Sequence, residues 1–310
     1  MKLLNSSLMM ISLCSGLLCA CTKNSNPKTI YDTVVVAKTD TVTQQLPPPN
    51  DTPNLTDGLV IYLPFTNGSF ADSSGLNNTV TAVNGATLGY DMHGYAQSAY
   101  NGTGNGAYLM VANNGSYAVD TAFAVSFDFM SRVSQGTYYG GGDYDGLPVF
   151  VSIVDLVNGN GPTFNCGFSL PGAPQYFAFG VNSSYSDCDS SGDDDLRDVT
   201  DTSYTFAPQI GSWYNAILEF SHGTLTTYIN GRLINTKTGG TDSVLFCPNA
   251  SFVVGGWWGG HNNFNGELDE IRFYNRTLNA QQIAWLSRNF QIHSNSQQPV
   301  LQGRKSPAIN

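Results

Sequence analysis

The residues of this chain most able to do chemistry are its carboxylates and its exposed-type aromatics. Only three glutamates occur in 310 residues, and two of them, Glu267 and Glu270, flank Asp269. Carboxylates this close can bond sugar hydroxyls, hold a cation or act as an acid and base pair on a glycosidic bond. Asp269 has the strand parity of Ile271 and Phe273. If those two are core, Asp269 is expected to point inward with them, where a carboxylate must be paired, hydrogen-bonded or metal-bound. A second acidic set is Asp187, Asp189, Ser191, Asp193, Asp195 and Asp198, with Gly192 among them. Oxygens at these alternate places, with a twelfth-position carboxylate, have the spacing of a calcium loop. Asp194 stands where an apolar residue is usual and no flanking helix is apparent, so a solvated acidic loop is the alternative. Two Gly-rich segments combine rings with polar groups: Tyr138, Tyr139, Asp143, Tyr144 and Asp145 in one, Trp257, Trp258, His261, Asn262 and Asn263 in the other. Rings stack on the C–H faces of sugars while Asp and Asn bond the hydroxyls. Trp257 and Trp258 point opposite ways in extended backbone, so one of them is expected to be core.

Other chemistries are excluded by type and spacing. His93, His222 and His261 have no Ser or Cys neighbours arranged as a triad. Gly140-Gly141-Gly142 lacks the lysine of a phosphate loop and is followed by Asp143. A net charge of −10 with scattered Lys and Arg does not suit nucleic acid.

The elements that position these residues read as strands. Charged residues are only 12% of the chain and Gly numbers 33, a β-rich, extracytoplasmic composition. Phe123, Val125, Phe127 and Phe129 alternate with Ala124, Ser126 and Asp128, the period of a half-buried strand. Runs at 59–63, 149–154, 251–254 and 267–273 add further strands. Segments 163–170 and 175–181 form a hairpin, as do 213–220 and 224–229; Asn230-Gly231 turns the chain into Arg232. One helix follows, capped by Asn279 with Gln282 three residues on, and with Ile283 and Leu286 on one face. The fold class is therefore all-β, a sandwich with a short C-terminal helix.

The N-terminus reads as an address. Met1-Lys2, an apolar stretch from Leu8 to Leu18 and small residues form a secretory signal too short to span a membrane. Leu18-Cys19-Ala20-Cys21 resembles a bacterial lipobox, which implies signal removal at 1–20 and a lipid on Cys21. Thr22 rather than Asp follows, which favours the outer membrane. Residues 21–56, with Pro47-Pro48-Pro49, are a tether; 57–290 is the folded domain; 291–310 is a polar, disordered tail. After processing, Cys166, Cys188 and Cys247 remain. Cys166 and Cys188 flank the first hairpin and are the expected disulfide in an oxidising compartment.

Five motifs in order carry a family resemblance. Gly58–Phe65 with Asp72-Ser73-Ser74-Gly75, then Phe123–Phe127, Gly211–Asn215, Leu225–Gly231 and Phe264–Leu278 resemble the successive strands of a laminin-G-like domain of the concanavalin A-like lectin and glucanase superfamily. The resemblance implies a jelly roll of two curved antiparallel sheets, frequent glycan or protein binding, and often one structural calcium ion. By that resemblance the Asp72 turn and the Asp269 strand meet around the ion; a carboxylate bonded to turn amides, or paired with Arg272 or Arg276, is the alternative. Glucanases of the fold carry E-x-D-x-x-E or E-x-D-x-E on one strand. Here Ile271 and Arg272 stand where the second Glu would be. The expectation is a lipid-anchored envelope protein that binds glycan or mediates adhesion without catalysis. A polysaccharide-degrading enzyme and a protein-binding envelope component are the alternatives.

Overall fold

Alternating side chains along the chain fold into two antiparallel sheets with one core between them. The computed structural model describes residues 52–115, 121–132, 149–155, 160–169, 176–181, 196–199, 208–239, 242–244, 250–257 and 263–290. The strands are β1 (Leu59–Leu63), β2 (Val80–Val83), β3 (Thr87–Tyr90), β4 (Ala96–Thr103), β5 (Tyr108–Val111), β6 (Ala122–Ser131), β7 (Val149–Asp155) and β8 (Asn160–Ser169). They continue as β9 (Tyr176–Val181), β10 (Leu196–Val199), β11 (Trp213–Ser221), β12 (Thr224–Ile229), β13 (Arg232–Thr238), β14 (Ala250–Val254) and β15 (Asn265–Tyr274). An eight-stranded sheet runs β13-β12-β11-β6-β15-β4-β3, with β1 also on β15; a seven-stranded sheet runs β10-β9-β8-β7-β14-β5-β2. The concanavalin A-like jelly-roll sandwich expected from the sequence is the observed architecture, and every strand expected there is present. Strands β2, β3, β5 and β10 were not foreseen, being only four residues each, nor was β4, whose run Ala96-Gln97-Ser98-Ala99-Tyr100-Asn101-Gly102-Thr103 has no clear apolar alternation.

The β6 alternation decides the layers. Phe123, Val125, Phe127 and Phe129 are fully buried and face Phe150, Phe164, Phe179 and Phe252 of the other sheet. The Phe129 and Phe150 ring centroids are 4.9 Å apart, and Phe164 stacks on Phe273 at 6.2 Å and 7°. Each fully buried Phe contributes roughly 1.5–3 kcal/mol of transfer free energy. Asn230 and Gly231 adopt φ of 52° and 73°, the left-handed pair of a two-residue hairpin turn, and link β12 to β13. Cys166 also faces this core. It is a free thiol, fully buried, and burial pushes its pKa well above the usual thiol value. The expected Cys166–Cys188 bridge is therefore not formed, because the Cys166 side chain is committed to the inter-sheet core; Cys188 lies outside the described residues.

The C-terminal helix covers part of the outer face of the eight-stranded sheet. Helix α1 spans Ala280–Leu286. Asn279 and Gln282 form the expected reciprocal cap, with Gln282 N donating to Asn279 Oδ1 and Asn279 N donating to Gln282 Oε1, both at 3.0 Å. Ile283 and Leu286 pack with Leu278 onto Ala124, Ile217 and Tyr274. The Leu278 amide donates to Glu219 Oε1 at 2.7 Å, which ties the segment before the helix to β11. No helix among the described residues is long and apolar enough to cross a membrane.

Candidate functional site

Strand β15 changes neighbours halfway along. Its first half pairs with β4 through Asn265–Leu268, and its second half pairs with β1 as far as Tyr274. Its other edge runs along β6, with a register shift between Asp269 and Arg272. Glu270 sits at this shift with a φ of 53°, left-handed backbone that costs a residue with a Cβ on the order of 1–3 kcal/mol. The inserted residue resets the alternation of the strand. Leu268 before it and Ile271 and Phe273 after it all face the core. Asp269 is instead the cross-strand partner of Asp128 on the opposite face. The expected inward aim of Asp269 is thus corrected: the bulge breaks the parity it was reckoned from.

Around the bulge, where β1 and β4 part, a cleft of about 730 Å³ opens on the outer face of the eight-stranded sheet. Its floor is Asp128, Asp269 and Asn215, contributed by β6, β15 and β11. Asn215 is the cross-strand partner of Asp128 and donates from Nδ2 to Asp128 Oδ1 at 2.8 Å. Asn215 is only 2% exposed, yet its Oδ1 has no hydrogen-bond partner in the protein. Glu270 stands in the wall, where the Tyr62 hydroxyl donates to both of its oxygens at 3.1 Å and Arg272 Nη2 donates at 2.6 Å. The Arg272 guanidinium lies 4.0 Å over the Tyr62 ring. At the rim, Asp91 Oδ1 accepts the amides of His93 and Tyr95 at 2.9 and 2.8 Å, leaving the Tyr95 side chain exposed. On the helix side, Arg288 lies 4.4 Å over the Trp285 ring and donates to the Trp285 carbonyl at 2.7 Å.

Two floor carboxyls are strongly perturbed. Burial, then the Glu270 and Asp128 charges, push Asp269 up to about 9, although the Glu270 amide donates to it at 2.7 Å and opposes the shift. Burial pushes Asp128 up to about 7, against the bond from Asn215. At neutral pH Asp269 is mainly protonated and offers an O–H, Asp128 is divided between its acid and carboxylate forms, and Asn215 Oδ1 offers an acceptor. A floor with both donors and acceptors, walled by rings, can hold hydroxyl groups.

The structure brings few of the sequence-derived site residues together. Asp72 accepts five hydrogen bonds: the Tyr62 and Ser74 amides on Oδ1, and Ser74 Oγ, Asn78 N and Asn78 Nδ2 on Oδ2, at 2.7–3.1 Å. Its lone pairs are taken, so it does not fit a calcium ligand, and the turn-amide alternative describes it. Among the described residues no three His, Cys, Asp or Glu side chains are grouped to hold a metal ion. Trp257 packs with Tyr108 and Val253 on the outer face of the seven-stranded sheet, with its Nε1 buried and unpartnered. Asn263 Nδ2 is spent on the Ala107 and Gly255 carbonyls at 3.1 and 3.0 Å, clasping the loop. Glu267 pairs with Arg132 outside the cleft. Tyr138, Tyr139, Asp143, Tyr144, Asp145, Trp258, His261, Asn262, Asp187, Asp189, Ser191, Asp193, Asp195 and Cys21 lie outside the described residues, as does the side chain of Asp198. Sequence reasoning missed Asp128, Asn215 and Tyr62. The signal available for Asp128 was its place as the one charged residue in an otherwise apolar and small strand.

The family model for the concanavalin A-like lectin/glucanases superfamily matches residues 104–284. The chain belongs to this family. No curated protein sequence matches it. Among solved structures, this superfamily member is similar to the binding domain of Paraclostridial mosquitocidal protein 1, at TM-score 0.54 and 18% identity over 76% of this chain and 53% of that one. The chain thus spans about half the length of that binding domain. It is also similar to domain 4 of a GH43 extracellular arabinanase from Geobacillus stearothermophilus, solved in complex with arabinotriose, at TM-score 0.51 and 18% identity over 74% of this chain and 98% of that one. A third likeness is to botulinum neurotoxin type C, whose cell entry depends on interaction with two ganglioside molecules, at TM-score 0.51 and 16% identity over 77% and 53%. At these identities the likeness shows the fold.

Proposed function

We propose that this protein is a lipid-anchored component of a bacterial envelope, on the outer membrane through Cys21, whose jelly-roll domain binds glycan without cleaving it. The observation that carries the reading is the cleft at the β15 bulge, where buried polar groups that sheet formation does not use are set among aromatic walls. Two similar structures point the same way, one holding arabinotriose and one named for ganglioside interaction. The lipobox-like Leu18-Cys19-Ala20-Cys21 supports the anchor. Calcium at the Asp187–Asp198 loop belongs to the proposal through its alternating oxygens alone, and chelator should then lower the melting temperature. The test is titration calorimetry of the full chain against plant and host oligosaccharides, followed by a reducing-sugar assay on every ligand found. Binding with no sugar released is the expected result.

One observation favours a second reading as a hydrolase. Asp128 and Asp269 are cross-strand partners with raised pKa values, which is how an acid and base pair is set up. Sugar release that is lost in Asp128→Asn would establish it.

A further inference from the structure

Resting on the glycan reading, we infer that the cleft selects an uncharged sugar residue through its hydroxyls and rejects glycans carrying carboxylate, sulfate or phosphate at the bound position. Three observations lead there. First, Asn215 Oδ1 is an acceptor on a side chain that is 2% exposed and has no partner, and it lines the cleft beside Asp128. A buried unpaired acceptor costs about 1–3 kcal/mol unless a ligand donates to it. Second, Asp128 has one oxygen bound by Asn215 Nδ2 and its second oxygen left for a donor, and Asp269 lies beside it. Third, Arg272, the buried cation of the cleft, is already paired with a carboxylate, and Arg288 is exposed at the helix side of the cleft. Arg272 is bonded to the Glu270 carboxylate and carbonyl and stacked on Tyr62. Arg288 is bonded to the Trp285 carbonyl and stacked on its ring.

An entering anion would meet Asp91 and Asp128, with Glu270 and Arg272 already paired to each other, and would bring only acceptors to Asn215 Oδ1 and the second Asp128 oxygen. An ammonium group would bring only donors and would leave the Asp269 O–H without an acceptor. A hydroxyl gives and takes at once. Two neighbouring hydroxyls of a sugar ring can donate to Asp128 and Asn215 Oδ1 while accepting from Asp269. The selection lies in the floor, so it holds whatever backbone linkage the glycan has.

The experiment is calorimetry of the full chain with matched trisaccharides: arabinotriose, galactotriose and cellotriose, against the trimers of galacturonic and glucuronic acid. At least one neutral trimer should bind, with the uronic trimers at least tenfold weaker or undetected. Asp128→Asn should weaken the neutral trimer about tenfold. A uronic trimer binding as tightly as its neutral counterpart overturns the selection and leaves the glycan reading standing. Absence of binding by every trimer removes the glycan reading and this inference with it. The wild-type comparison does not depend on the variant folding; where Asp128→Asn melts like wild type and binds the neutral trimer unchanged, the floor is not the contact.

Discussion

The two faces of the eight-stranded sheet are built by the same strands and are opposite in character. The inner face is dry and aromatic, with Phe123, Phe127, Phe129, Leu268, Ile271 and Phe273 all fully buried. The outer face carries Ala124 and Ile217 under α1 and then, past the helix, Asp128, Asn215, Asp269 and Arg272 around a cleft. The inner face is satisfied by packing alone. The outer face keeps a left-handed Glu270, two carboxyls with raised pKa values and an unpartnered carbonyl oxygen. Selection for stability alone would remove such features, since a bulge residue of glycine and a floor of paired or apolar groups cost less. Their presence together at one place sets the outer face apart from the inner one and is what the proposed glycan site rests on.

This contrast can be broken from either side. Phe164→Ala, in the inner layer, should cost about 3–5 kcal/mol in denaturant unfolding, the largest effect, because it leaves a cavity between the sheets. The pH dependence of stability should come from the outer face. Asp128 and Asp269 bind protons more tightly folded than unfolded, with folded values of about 7 and about 9 against 3.8. Their full contribution is present below about pH 4 and is lost as pH rises through 7 and then 9. Melting temperature should therefore fall between pH 5 and 9, and Asp269→Asn should flatten the upper part of that fall. An equal fall in the variant would place the titrating group elsewhere. Asp128→Asn should weaken a neutral oligosaccharide about tenfold, about 1.4 kcal/mol, with unfolding at pH 5 little changed. Asn279→Ala should cost about 1 kcal/mol through loss of the helix cap, lowering thermal stability without moving binding enthalpy.

The inner face, the hairpin turn and the helix were legible in the sequence, and the cleft on the outer face was not. Alternation in Phe123–Phe129, the Asn230-Gly231 turn and the Asn279–Gln282 cap are local signals, and each has its expected structure. The cleft is not local. Asp128, Asn215 and Asp269 are brought together by strand register, and residue types along one strand do not state which residue of another will lie opposite. The bulge at Glu270 is the clearest case. Nothing in Leu268-Asp269-Glu270-Ile271 announces a left-handed residue, so counting by twos through it placed Asp269 on the wrong face. Asp72 shows the converse: the turn was recognised, but its five donors come partly from Tyr62 and Asn78, whose approach depends on the tertiary fold.

The most direct test of the central claim is a crystal structure of the protein with a bound neutral oligosaccharide identified by calorimetry. The expected result is a sugar ring in the cleft between Tyr95 and Trp285, with hydroxyl oxygens within about 3.2 Å of Asp128 and of Asn215 Oδ1. A sugar seated instead on the outer face of the seven-stranded sheet, near Trp257, with the Asp128 cleft holding none, would contradict it.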